Sequence, residues 1–338
     1  AASGNSSGSG GTGTASGSAS GASGASSGTS GATSGSSGGA SGSGAGTPDA
    51  GSSDASVPDA GSPAEAGTTS VLCGTTPAAL NVGLIGKMEQ LSVAPDGTIY
   101  WSNQGPTIGR YAPPYASIDA AWKTIAGAKI NGIALDPKRG VLYAGSRETP
   151  DKLYKIQVAT PATTTSVMLP SSQSINGVTI ANDASVYYTD QTLGNVYRIG
   201  PTDTAPIKVN TMPVAQANDL AFGPDGLLYV NTWSPTPATI LRVNVQTGAV
   251  ELFATLTGSG NGDGIAFDSA GNLYAAAGHL YKVTPAKVVT MLPNTAAAGI
   301  EFGCGAISCN DMFYSAPAGA TMKTTVTPGG MDVFWHHP

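Results

Sequence analysis

A five-residue phrase recurs six times along this chain. It reads Glu89-Gln90-Leu91-Ser92-Val93, Asn131-Gly132-Ile133-Ala134-Leu135, Asn176-Gly177-Val178-Thr179-Ile180, Asn218-Asp219-Leu220-Ala221-Phe222, Asp263-Gly264-Ile265-Ala266-Phe267 and Ala298-Gly299-Ile300-Glu301-Phe302. Successive copies start about 35–45 residues apart, the period of one propeller blade. In five of the six copies the first residue is polar and carries oxygen, Ala298 being the exception. A circular fold gathers equivalent positions around one axis, so side chains far apart in sequence are expected to become neighbours.

Each copy continues alike. A turn follows, as in Pro95-Asp96-Gly97, Asn182-Asp183-Ala184 and Pro224-Asp225-Gly226. Pro presets φ and Gly supplies a positive φ, as tight hairpins require. A second strand then centres on an aromatic residue, Tyr100, Tyr143, Tyr187, Tyr229 or Tyr274, with Met312-Phe313-Tyr314 in the sixth copy. A third carries one base, Arg110, Lys155, Arg198, Arg242, Lys282 or Lys323, read as a solvated strand face. Connectors such as Thr163–Leu169 and Ala249–Thr255 suit a fourth strand. The phrase itself alternates large and small residues, as a strand packed between neighbouring blades does. The expected fold is all-β, a six-bladed β-propeller over residues 71–338. Either Pro77–Gly86 or Val326–Trp335 is expected to pair with the last blade and close the ring.

Residues 1–70 are a different material, almost wholly Gly, Ser, Ala and Thr with a few Pro and acids and without one aromatic. Such a segment cannot bury enough apolar surface to offset its ordering entropy, so it reads as a disordered low-complexity linker. It holds Asp49, Asp54, Asp59 and Glu65 and no base, whereas the remainder has 17 acids against 15 bases. A nearly neutral domain lacks the basic footprint of a nucleic-acid binder, and no apolar run is long enough to span a membrane. Sparse charge, the long linker and an opening Ala1-Ala2-Ser3-Gly4 suit a processed, exported protein, extracellular, periplasmic or tethered to a cell surface. Of the three cysteines, Cys304 and Cys309 are near enough to bridge one hairpin, leaving Cys73 alone. A monomer is expected.

At residues 80–325 the chain resembles the gluconolactonase/regucalcin (senescence-marker-protein) family of six-bladed propellers. That family opens its first blade on Glu, places Asn on the third and fourth and Asp-Gly on the fifth. Glu89, Asn176, Asn218 and Asp263 match in type and blade order. The resemblance implies that these four hold one divalent metal in the central channel and that Asp263 is also the general base. Asn131, on the second blade, is outside the family's ligand set; its Asn-Gly reads either as a turn or as a further channel residue. Two carboxylates and two amide oxygens favour a hard cation, Ca²⁺ before Mg²⁺ or Mn²⁺, with Zn²⁺ less natural. The Gly-Pro that follows the first Glu in the family is Gln90-Leu91 here. A sugar-gripping Arg, found in some members two residues before the third-blade Asn, is Ser174.

Asn103, Gln104, Arg147, Asp190, Asn231 and Trp233 follow second strands and are candidates for the channel or its rim, where selectivity resides. The three histidines, His279, His336 and His337, form no Ser-His-Asp arrangement. Two functions remain open. One is a secreted or surface-tethered metal-dependent hydrolase acting on a small-molecule lactone or ester. The other is a non-catalytic cell-surface binding propeller with a structural metal or none. The turn and tyrosine phrases also occur in NHL-repeat and strictosidine-synthase-like propellers, and they specify fold rather than activity.

Overall fold

A computed structural model describes residues 73–171, 174–293, 295–296, 298–316, 319–327 and 329–330. The expected linker over 1–70, the His336-His337 pair and most of Val326–Trp335 lie outside these residues. Six antiparallel meanders follow one another. Blade 1 comprises β1 (Leu91–Val93), β2 (Ile99–Ser102), β3 (Thr107–Tyr111) and β4 (Asp119–Thr124). Blade 2 comprises β5 (Ile130–Asp136), β6 (Val141–Ser146), β7 (Lys152–Gln157) and β8 (Thr164–Met168). Blade 3 has β9 (Ile175–Ile180), β10 (Val186–Asp190), β11 (Asn195–Ile199) and β12 (Ile207–Lys208). Blade 4 has β13 (Ala217–Phe222), β14 (Leu228–Thr232), β15 (Thr239–Val243) and β16 (Val250–Thr255). Blade 5 runs β17 (Ile265–Phe267), β18 (Leu273–Ala276), β19 (Leu280–Val283) and β20 (Val289–Leu292). Blade 6 runs β21 (Ala298–Phe302), β22 (Asp311–Ser315) and β23 (Thr321–Thr325). The repeated phrases lie on or lead into the innermost strands, and among the described residues connectors supply a fourth strand in blades 1–5 but not in blade 6.

The core lies between blades. Ile133 and Leu135 of β5 pack on Tyr100 and Ile108 of blade 1, and Phe267 of β17 meets Tyr229 of blade 4 edge-on with centroids 4.9 Å apart. Burying each such side chain contributes about 1.5–3 kcal/mol. The bases of the third strands take part in this packing. In every blade the base stands opposite the second-strand aromatic, from Tyr100 and Arg110 to Phe313 and Lys323. Arg242 lies 5.9 Å from the Tyr229 ring and 5.3 Å from that of Phe253, and it also pairs with Asp225 of the preceding turn. These are aromatic and ionic contacts at the blade edge, more than a merely solvated face.

Closure corrects two expectations. The segment leading into blade 1 does lie on blade 6: Gly74 N donates to Gly305 O at 2.6 Å and Thr321 Oγ1 to Gly86 O at 2.8 Å. It forms no fourth strand, however. Asn81 caps a 3₁₀ turn, Val82–Ile85, which drives Val82 and Ile85 into the apolar layer between blades 6 and 1. The disulfide is Cys73–Cys309, with Cα atoms 5.3 Å apart; it is not the expected Cys304–Cys309 hairpin. The leading segment brings Cys73 to blade 6, while the Cys304 thiol turns toward blade 1 and donates to Val93 O at 3.2 Å. No helix among the described residues is long and apolar enough to cross a membrane.

Candidate functional site

The polar residue of each phrase sits where the innermost strand slips against its neighbour. Pairing skips Asn131-Gly132 on β5 and Asn218-Asp219 on β13. On blade 1, Ser102 alone faces both residues, accepting from Glu89 N at 2.7 Å and donating to Gln90 O at 2.9 Å; Ala276 does the same for Asp263 and Gly264. Two residues opposing one is a bulge, which re-aims a side chain; here it turns the first residue toward the axis. The glycines at the second position allow inner strands to touch. A Cβ on Gly264 would meet Ile300 N at 2.5 Å, and one on Gly299 would meet Glu89 O at 2.7 Å. Second-strand side chains then pin the next blade's polar residue. The Ser102 hydroxyl donates to Asn131 O and the Thr189 hydroxyl to Asn218 O, while Asn231 Nδ2 donates to Asp263 O at 3.0 Å.

Glu89, Asn176, Asn218 and Asp263 line one cavity of about 570 Å³, together with Arg147 and Trp233. Asn131 sits behind this wall, its amide 2.8 Å from that of Asn176. With its oxygen turned to Arg147, the Asn131 amide accepts from Nη2 at 3.1 Å and Nε at 3.3 Å. Two rim expectations fail. Asn103 is exposed and closes its own turn by accepting from Gly105 N at 3.1 Å. Asp190 is buried at the end of β10 and likewise accepts from Leu193 N at 2.9 Å. Neither lines the cavity, because both side chains fold back onto local backbone. Gln216 does line it, beside Gln104, and both hold φ in the left-handed region, 52° and 63°. Such conformations persist where surrounding structure enforces them. The sequence contains no motif for Gln216.

No protein-family model matches the chain, and no curated protein matches its sequence. Its fold matches that of a gluconolactonase from Xanthomonas campestris (TM-score 0.54, 19% identity), over 75% of this chain and 94% of that one. A catalytically inactive virginiamycin B lyase from Staphylococcus aureus, solved with quinupristin, aligns over 71% of this chain and 80% of its own, at TM-score 0.57 and 16% identity. A chain of the nidogen–laminin complex aligns at TM-score 0.57 and 17% identity, covering 71% of this chain and 93% of that one. The fold is a gluconolactonase-like six-bladed propeller. Enzymes and a chain of the nidogen–laminin complex share it, so activity must be argued from the site.

The electrostatics of the channel are unusual for carboxylates. Burial, then the nearness of Glu89 and Asp219, holds Asp263 well above its ordinary range. Burial also raises Glu89, although a Gln104 hydrogen bond, Arg147 and Lys87 oppose the shift. Asp219 is pushed up to about 7 by burial. Arg147 is lowered by burial, against the pull of Glu89, Asp151 and Asp263. Its guanidinium is fixed, Nε donating to Ile175 O and Nη2 to Gln191 Oε1, both at 2.9 Å. Buried acids crowded in this way favour a proton or a cation. The residues fit a hard cation. Asn218 Oδ1 is buried without a hydrogen-bond partner, while its Nδ2 is held by Gly262 O at 2.9 Å and Asp263 Oδ1 at 3.4 Å. Among the described residues no group of three His, Cys, Asp or Glu side chains is arranged to hold a metal ion; the oxygens that line the cavity from Glu89, Asn176, Asn218 and Asp263 belong to carboxylates and amides.

Beyond the site the channel continues as a smaller chamber of about 60 Å³, reached by Glu301. Burial pushes Glu301 up to about 8, against a hydrogen bond from Phe302 N. The unfolded chain loses this proton near pH 4.5. Stability contributed by Glu301 is therefore full below that pH and is lost as pH rises toward about 8. Glu301→Gln is expected to match wild type in acid and to melt about 2–4 °C higher above pH 8, as thermal melts across pH would show.

Proposed function

We propose that this protein is an exported hydrolase, dependent on a divalent cation, that opens a lactone or ester in the central cavity. The observation that carries the reading is the unpartnered, buried Asn218 Oδ1 beside the elevated carboxyl of Asp263. A buried acceptor left without a donor is costly unless a ligand supplies the partner. Glu89, Asn176, Asn218 and Asp263 would hold the cation, Ca²⁺ by preference. Such an ion, when bound, supplies Lewis-acid polarisation of a carbonyl and lowers the pKa of water. Asp263 takes the proton of the attacking water, as a carboxylate beside the reacting atoms can. Arg147, locked by Ile175 O and Gln191, faces the charge that develops on the carbonyl oxygen. It enters from blade 2, whereas the family's substrate Arg position is Ser174. Trp233, 39% exposed at the cavity, offers a flat apolar face to the rest of the substrate. His279, the one histidine among the described residues, does not line the cavity. The Cys73–Cys309 disulfide supports an oxidising, exported setting.

The exposed Trp233 also favours a second reading, a surface propeller that captures a ligand without turning it over. Calcium calorimetry on the chelator-treated full chain, followed by a panel of lactones and esters, separates the two. One-site binding with hydrolysis lost in chelator and restored by calcium is expected. Calcium binding without turnover selects the capture propeller, and failure to bind calcium, manganese or zinc removes the cation site.

A further inference from the structure

We propose that Gln90 and Asp219 form a crossbar through the channel axis that positions Glu89 and Asn218 and closes the cavity floor, an inference resting on the cation-site reading above. The repeat itself singles them out. The second residue of the phrase is Gly in four copies; the exceptions are Gln90 and Asp219. They lie on blades 1 and 4, three blades apart and so opposite each other in a ring of six. Their side chains meet on the axis, Gln90 Nε2 donating to Asp219 Oδ1 at 2.9 Å. Each end is anchored to the following blade: Ile133 N donates to Gln90 Oε1 at 2.9 Å and Ile265 N to Asp219 Oδ2 at 3.0 Å. Both heteroatoms of the amide and both carboxylate oxygens are used, and four blades are tied through one link.

The placement gives the link its role. A void of about 10 Å³, the size of one water or ion, touches Glu89, Asn176 and Asp263 on one side and Gln90 and Asp219 on the other. The larger cavity and the Glu301 chamber lie on either side of the bar. Gln90 and Asp219 adjoin Glu89 and Asn218 in sequence, so a shift of the bar displaces both ligands. Partners of this kind typically alter metal affinity by about 10–100-fold when removed. The link also denies water a route to the site from the far end of the channel.

The test uses the full chain, calcium titrated by calorimetry and amide hydrogen exchange at Ile133 and Ile265. Gln90→Gly, which installs the residue of the other copies, is expected to weaken calcium binding at least about tenfold and to speed exchange at both amides. Gln90→Glu combined with Asp219→Asn reverses the central donor and acceptor while keeping every hydrogen bond and the net charge. That double variant is expected to recover affinity and protection, whereas Gln90→Glu alone, facing Asp219, is not. Wild-type calcium affinity in Gln90→Gly would overturn the positioning role. If the unaltered protein takes no calcium, the cation reading fails on its own, and exchange then decides. Protection lost in Gln90→Gly and regained in the double variant supports the bar; unchanged protection removes it.

Discussion

Asp263→Asn is expected to reduce hydrolytic turnover by about 10³-fold, the scale of a lost general base, while weakening calcium binding far less. The amide keeps an oxygen in place of one carboxylate oxygen, so the ligand position survives in part and the base does not. Asp263→Ala removes both, and neither cation retention nor turnover is expected to remain. Parallel calorimetry and steady-state kinetics on the two variants therefore separate ligand from base. Turnover that survives Asp263→Asn would mean that another group takes the proton. Stability without the ion moves the other way. Burial and the neighbouring Glu89 and Asp219 hold the Asp263 carboxyl well above its ordinary range, so the stability it contributes in acid is lost as pH rises. In chelator near neutrality Asp263→Asn is accordingly expected to melt no lower than wild type, and with calcium present it melts lower. A reversal of sign on adding calcium ties the carboxyl to the ion, which a structural aspartate would not do.

The parts of this site that could be read from sequence are those written six times over. Inner strands, turns and the tyrosine strands are set by local alternation and turn chemistry, which a linear reading sees directly. The repeat turns sequence period into spatial adjacency for Glu89, Asn131, Asn176, Asn218 and Asp263, and the family resemblance, not the period, separates Asn131 from the other four. Gln90 and Asp219 were visible as departures from glycine, but their pairing depends on blades 1 and 4 being opposed, a property of the closed ring. Asn103 and Asp190 looked like rim residues by position after a strand, yet their short side chains found backbone donors two and three residues on. Asn131 was open between turn and channel; it became the amide that links Asn176 to Arg147. Cys304 and Cys309 looked paired because nearness in sequence was the only measure of distance before the leading segment was placed on blade 6.

That misread disulfide carries the second large effect. Cys73 and Cys309 are 236 residues apart, and cross-linking so long a loop lowers unfolded-chain entropy by an amount equivalent to about 5 kcal/mol in the chain-entropy account. Cys309→Ser is expected to lower the melting temperature by roughly 10 °C, and reductant should bring wild type to the same value. Cys304→Ser exchanges the weak thiol donor to Val93 O for a hydroxyl and is expected to cost about 1 kcal/mol or less. The seam these cysteines flank is also where the site is assembled. Gly299 N of blade 6 donates to Glu89 O of blade 1 at 2.9 Å, so a loosened seam moves a ligand-bearing turn. Calcium affinity is therefore expected to fall in Cys309→Ser and to hold in Cys304→Ser, although neither side chain enters the cavity. Equal melting temperatures for Cys309→Ser and wild type would assign closure to the apolar layer of Val82, Ile85, Leu91, Trp101 and Phe313. In that case Glu89 should stay in register and calcium affinity should stay unchanged with it.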